Sequence, residues 1–498
     1  MMRLTFILSL IILSLSCLSA QTLDDALRLS IHNYNSTARF AGVSGAFSPL
    51  GADISIASIN PAGIAEFRKS EITLTFNSFD TDNSAELLDS QEGLITNISD
   101  SKIRLGNIAA VYHYNPPAFD TRTFNIAVGY NQLANYHETI EYGGTTSGTI
   151  LQRFLEQAEG RTVNELGDFE AGLAYDVTAI FDPEEDGSYL SDFITLAERV
   201  EKNEVIERRG SLNEIFVSVG SNIKNKFSWG ATLGFPFANF SESRRYTETD
   251  PSDNVEFFDD IGFNQNLNTS GVGFNLKLGV IYKVTPRLRL GAAIHSKSFF
   301  VLTDEFDTDL SYSYTEDGIS ENLTAQSPLS EFEYQISGPW RALAGLGYLY
   351  SFGDFKGFVS GEVEYVNYSS ASFNLTENST DPLDQFFEDE LNQDVDFFFG
   401  SAINVRAGTE VAYKMVRARV GVALPSSPFS DETIIDVSPS YSAGLGYRAN
   451  RYYVDAAYTV RSFGTNYSPY RLIDRDLEPF IDIDNSRSII TLTLGYKL

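Results

Sequence analysis

Ile490-Thr491-Leu492-Thr493-Leu494-Gly495-Tyr496-Lys497-Leu498 closes the chain. Every even position is apolar and every odd one is polar or small, a two-residue period that gives an extended strand one oily and one wet face. The same alternation sets Val272, Phe274, Leu276, Leu278, Val280 and Tyr282 against Gly273, Asn275, Lys277 and Gly279. It recurs over 124–130, 288–295, 403–411 and 416–422. A soluble sandwich alternates too. Here, however, the wet face carries Gly, Asn, Thr and single charges, and Tyr and Phe gather on the oily face near strand ends. Those are the marks of a transmembrane barrel with a polar lumen and an interfacial girdle.

Connections set the strand number. Short polar joints fall near 115–122, 222–226, 284–287, 351–354, 413–415 and 448–451, and long polar segments near 80–101, 143–210, 246–270, 303–330, 375–398, 425–437 and 465–487. Short and long alternate strictly, so thirteen connections predict fourteen antiparallel strands over 71–498. An even count places both barrel ends on the short-turn side, with the termini in the periplasm of a Gram-negative cell.

Composition excludes other classes. The chain has 498 residues, 43 % of them hydrophobic, which is too many for a disordered protein. Its net charge of −31 comes with no basic block, which argues against nucleic acid. No apolar run of 18 residues follows the first twenty, so a helical membrane bundle is excluded as well. The first five long segments together carry −36, leaving +5 for the rest of the protein. Acidic outer loops are expected to serve solubility and divalent bridging to lipopolysaccharide. The stretch Asp182-Pro183-Glu184-Glu185-Asp186-Gly187 looks calcium-like, but Phe193 stands where an EF-hand loop needs Glu.

Residues 1–20 read as an export signal: Arg3, an apolar core from Leu4 to Leu15, then Leu18-Ser19-Ala20 before Gln21. Cys17 is the only cysteine. A lipoprotein site there would want Leu where Ser14 stands, so the mature chain is expected to lack thiols, disulfides and thiolate metal sites.

Residues 21–70 break the alternation with small residues: Phe40-Ala41-Gly42-Val43-Ser44-Gly45-Ala46-Phe47, Gly51-Ala52-Asp53 and Ser58-Ile59-Asn60-Pro61-Ala62-Gly63. Such sequence allows the tight turns and close packing of a plug inside a lumen. The Gly-Ala-Phe and Ala-Asp segments, and above all Asn60, Pro61 and Ala62 before the first strand, resemble the hatch of the FadL/TodX outer-membrane transporters of long-chain fatty acids and hydrophobic compounds. The resemblance covers the mature chain. It implies passive uptake by a monomer without cofactor or catalysis: capture in an apolar outer groove, passage to a lumenal pocket, then hatch movement and sideways release at a kink in the third strand.

Each step has candidate residues. Leu151, Phe154 and Leu155 share a helical face within an expected helical insertion over 143–210, as do Phe193, Leu196 and Val200; they would form the groove or an ordinary loop core. Gln132 interrupts the oily series from Phe124 to Tyr136, so it is the kink candidate or else sits near the headgroups. Strand parity turns ten bases against five acids into the lumen, and Lys297, Arg341 and Arg406 lie high enough to meet a ligand carboxylate or to pair with Glu362, Glu364 or Glu410. A docking or adhesin barrel of the same fold is the alternative function. No phosphate loop or Gly-x-Ser-x-Gly elbow occurs, and His32, His113, His137 and His295 lack metal spacing, so neither enzyme activity nor a metal is expected.

Overall fold

The computed structural model describes residues 23–32, 36–90, 95–116, 122–193, 198–252, 254–375, 382–431 and 434–498. The export signal with Cys17, and Leu196, lie outside them. Twenty hydrogen-bonded segments join into one sheet that closes through the first and last strands. Several are pieces of one interrupted strand, so the barrel is a closed antiparallel one of 14 strands, as the alternation of turns predicts.

In chain order these are β1 (Glu71–Leu87), β2 (Ile95–Tyr114), β3 (Arg122–Asn135, resuming at Glu138–Ser147), β4 (Arg199–Ile223), β5 (Phe227–Thr249), β6 (Phe258–Lys283) and β7 (Leu288–His295, resuming at Phe299–Glu316). They continue with β8 (Ile319–Gln326, Ser330–Ser337, Arg341–Phe352), β9 (Phe355–Asn367, then Ser372–Asn374), β10 (Ser401–Tyr413), β11 (Val416–Leu424), β12 (Ile435–Val437, then Ser440–Arg448), β13 (Tyr452–Tyr467) and β14 (Ile481–Lys497). Outward apolar side chains such as Val272, Phe274, Leu276, Leu278, Ile490, Leu492 and Leu494 are exposed to the surroundings, as a lipid-facing band must be.

Two expectations need correction. Much of what reads as long loops is strand: β4 runs for 25 residues and β6 for 26. The hydrogen-bonded ladder continues past the apolar band, and there only the outward side chains turn polar. The acidic stretches 80–87, 199–210, 258–270 and 303–316 therefore stand as sheet. Val200, assigned above to a helical face, lies in β4, where Val200, Lys202, Glu204 and Ile206 turn inward as a strand demands. The matched spacing of Phe193 and Val200 is coincidental.

The N-terminal segment lies in the lumen. After α1 (Leu23–Ser30), it folds through α2 (Ala38–Ala41) and two short 3₁₀ turns, Ile54–Ser58 and Pro61–Glu66. Asn60 caps the second of these: its side chain accepts from the Ala62 amide at 3.2 Å, with Pro61 in the first helical position, where its missing N–H costs nothing. The Asn60 amide also donates to the Ser48 carbonyl at 2.8 Å and to the Val280 carbonyl of β6 at 3.2 Å. Inward glycines of the wall make room for this contact. A Cβ at Gly230 would strike the Pro61 carbonyl, and one at Gly279 would strike the Asn60 amide. Phe40, Phe47, Ile54, Ile56 and Ile64 are buried between the segment and the wall.

Candidate functional site

The wall has a split between β2 and β3. These strands pair only from Tyr114↔Phe124 up to Asn107↔Asn131. Just above that last rung, each strand carries a register shift against its other neighbour: β2 skips Gly106 against β1, and β3 skips Leu133 against β4. A bulge bends its strand and increases the local twist. The two strands therefore diverge, and among the described residues the outer half of β2 has no hydrogen-bonded strand on that side. The resumed part of β3 passes behind β1, where Ile140 and Tyr142 pack with Ala85, Leu87, Ile481 and Ile483.

Gln132 sits at the β3 bulge, 4 % exposed, with its carbonyl oxygen unsatisfied. The last rung is a polar knot. Asn107 donates to Asn131 at 2.6 Å, Asn131 donates to Ser58 at 2.7 Å, and Ser58 donates to Glu214 at 2.8 Å. Ser36 also donates to Asn131 at 2.7 Å, and Glu214 is paired with Lys277. The edge of the split is thus wired through the N-terminal segment to a buried ion pair between the neighbouring β4, where Glu214 stands opposite Asn131, and β6.

Inside the bulge lies a packed apolar core. Leu133 and Ala134 of β3, Leu212 of β4, Phe300 and Leu302 of β7 and Ile336 of β8 surround Ala26 and Leu29 of α1. A further helix, α5 (Pro382–Phe398), closes the cluster with Val395, Phe387 and Leu391. The cations assigned to ligand binding are largely spoken for. Arg406 pairs with Glu362 at 2.8 Å and also with Glu364; Arg341 meets Glu364 at 3.5 Å and donates to the Ser30 carbonyl. Lys297 is the exception, with a long 3.5 Å contact to the Ser337 hydroxyl and no carboxylate among its described contacts.

Of the two readings of the loop 143–210, outer groove or loop core, the side chains pack as a core. Leu151 and Phe154, on α3 (Leu151–Ala158), are fully buried among Ile180, Tyr246, Phe258, Ile261, Phe263, Leu310 and Leu472, while Leu155 and Phe193 pack against its side. Among the described residues of 143–210, the α-helical ones are α3 and α4 (Ala171–Asp176). The Asp182 carboxylate accepts from the backbone amides of Asp186 and Gly187, which makes a local turn. No cluster of metal-ligating side chains occurs among the described residues.

Sequence reading passed over Gly106, Asn107, Asn131 and Leu133. A signal was present: outward apolar residues of β2 fall on even numbers from Tyr114 down to Ile108, then on odd ones at Leu105 and Ile103. That change of phase is what a one-residue bulge leaves in a sequence.

A family model described as BamG matches residues 188–404, less than half of the chain. No curated protein matches. Among solved structures, a FadL homologue of Pseudomonas aeruginosa is 14 % identical with a TM-score of 0.56, covering 94 % of this chain and 99 % of that one. The toluene transporter TodX of Pseudomonas putida is 11 % identical with a TM-score of 0.51, at the same coverage. At these identities the likeness is one of architecture. The chain has the fold of the FadL and TodX barrels.

Proposed function

We propose that this protein is an outer-membrane channel for passive uptake of hydrophobic small molecules, with sideways release through the split between β2 and β3. The observation that carries the reading is the split itself: paired bulges at Gly106 and Leu133 part the wall beside a buried apolar cluster. A closed barrel normally removes every strand edge, so an edge left open in this position calls for a function. The architecture shared with a toluene transporter and with a FadL homologue supports the same reading. The N-terminal segment acts as the hatch, and the short turns and termini face the periplasm.

A second reading has its own observation. The mouth is closed by an apolar loop core and the lumen by a bonded segment, as suits a barrel that docks another protein at its outer surface. Uptake of radiolabelled oleate and toluene by a deletion strain, with and without the restored gene, separates the two. Restored uptake of either supports the channel. Unchanged uptake, with a protein partner co-purifying, overturns it in favour of docking.

A further inference from the structure

The short-turn end of the barrel is basic where the opposite end is acidic. Among the described short joints 222–226, 284–287, 351–354, 413–415 and 448–451, Asp354 is the only acid. Lys224, Arg287, Lys414 and Arg451 stand exposed in four of these joints, and Lys356 stands exposed just after the fifth. The exposed pair Arg68 and Lys69 continues the row where the chain enters β1. The ion pairs at this end belong to other bases: Lys283, Arg289 and Arg448 turn to the buried carboxylates of Glu66 and Asp455. Among the described residues the rim bases form no ion pair, so their charge faces outward, to whatever surrounds this end of the barrel.

These bases stand where the apolar band ends in aromatic rings. Tyr282 of β6, Phe355 of β9, Tyr413 of β10 and Tyr452 of β13 are exposed at the strand ends beside the joints. The Lys226 ammonium lies 5.4 Å from the centroid of the Tyr282 ring, and that of Lys414 lies 5.1 Å from Tyr413. Tyr413 is itself stacked on Phe355 at 4.9 Å between centroids. Such rings mark the headgroup level of a bilayer, and the long stems of Lys and Arg reach from its apolar edge into the polar layer. The bases also recur joint after joint, from β4–β5 round to β12–β13. A folded partner covers one side of a rim, whereas a lipid layer touches all of it at once.

We propose that this rim is an interaction surface for anionic phospholipids of the periplasmic leaflet, their phosphodiester groups held by the exposed Lys and Arg side chains and their acyl chains lying on the aromatic girdle. Phosphate oxygens only accept, and ammonium and guanidinium groups only donate, so the two match without a bridging group. A zwitterionic headgroup brings an ammonium of its own, which a ring of bases repels. Each base near an anionic surface adds to the attraction, which salt screens. The assignment rests on the sidedness of the channel reading and not on what the barrel carries.

The test uses the purified full-length chain in non-ionic micelles holding equal amounts of phosphatidylglycerol and phosphatidylethanolamine with the same acyl chains, the retained lipid being identified by native mass spectrometry. Phosphatidylglycerol should be retained at least about tenfold over phosphatidylethanolamine, and salt at about 0.5 M should cut that preference several-fold. Lys224→Gln, Arg287→Gln, Lys356→Gln, Lys414→Gln and Arg451→Gln together should bring the two lipids level. Lys356→Gln with Lys414→Gln alone should lower the preference at least about twofold. Asp186→Asn with Asp389→Asn, at the far end, should leave it unchanged. Heat-modifiable migration on gels identifies variants that fold. No preference in the wild type, or one that the five changes leave intact, overturns the proposal and leaves the channel standing. Polyglutamate bound by the wild type but not by the fivefold variant, without a lipid preference, overturns it in favour of an acidic protein partner. Reaction of Lys224→Cys with an impermeant maleimide on intact cells overturns the sidedness, and the leaflet assignment with it.

Discussion

Glu214 shows how much one lumenal residue holds. It accepts from Ser58 of the N-terminal segment and pairs with Lys277, and both members of the pair are buried. Removing one partner of a buried pair strands the other charge. Glu214→Ala should therefore cost about 3–5 kcal/mol, whereas Glu214→Ala combined with Lys277→Met should recover most of that loss. Urea unfolding in micelles, followed by tryptophan emission, checks both variants. Lys297→Ala is the contrasting case. With only a 3.5 Å contact to Ser337, its loss should shift stability by no more than about 0.5 kcal/mol. Arg406 was legible as a lumenal cation from parity alone. Its pairing with Glu362 and Glu364 was one of the two readings that parity left open, and the β9–β10 register, which brings together residues some forty positions apart, decided it.

Among the elements, β3 and the N-terminal segment carry the sharpest expectations. Deleting Leu133 removes the extra residue of the β3 bulge, so β3 should straighten and extend its pairing with β2 above Asn107. The barrel should remain folded while uptake of a hydrophobic probe falls at least about tenfold, a barrier change of roughly 1.4 kcal/mol. Unaltered uptake would move the exit elsewhere. The docking of the segment should also depend on pH. Burial, then Arg341, Lys277 and His295, hold the His32 imidazole well below its usual value. A depressed value in the docked form means that the undocked form takes up the proton more readily, so docking is unpenalised above about pH 6.5 and weakens as pH falls below it. Protease sensitivity of the segment should rise between pH 7 and pH 5, and His32→Asn should flatten that rise.

For the whole molecule, sidedness is the main expectation. Cysteines placed at Asp186 and Asp389, both exposed at the end away from the short turns, should react with an impermeant maleimide on intact cells; one at Lys224, in the short β4–β5 turn, should not. Labelling of the Lys224 position alone would invert the barrel. Removing residues 21–62 should leave the strands closed, since β1 pairs with β14 along its length without help from the segment. Planar bilayers should then register a pore open to small ions, where the full chain is tight.

The sequence by itself determined the barrel. A side-chain period of two, strict alternation of short and long joints, and a small-residue segment ahead of the first strand are local properties, so fourteen strands and a lumenal N-terminal segment could be read before any coordinates. It also marked the inward set of charges, because parity decides which face a side chain takes. Only the tertiary structure decided which charges meet. Pairing depends on cross-strand register and on where the N-terminal segment docks, and both are sums over distant contacts. The split at Gly106 and Leu133 stood between the two, visible as a change of phase in β2 yet meaningful only once β3 proved to be bulged at the same height.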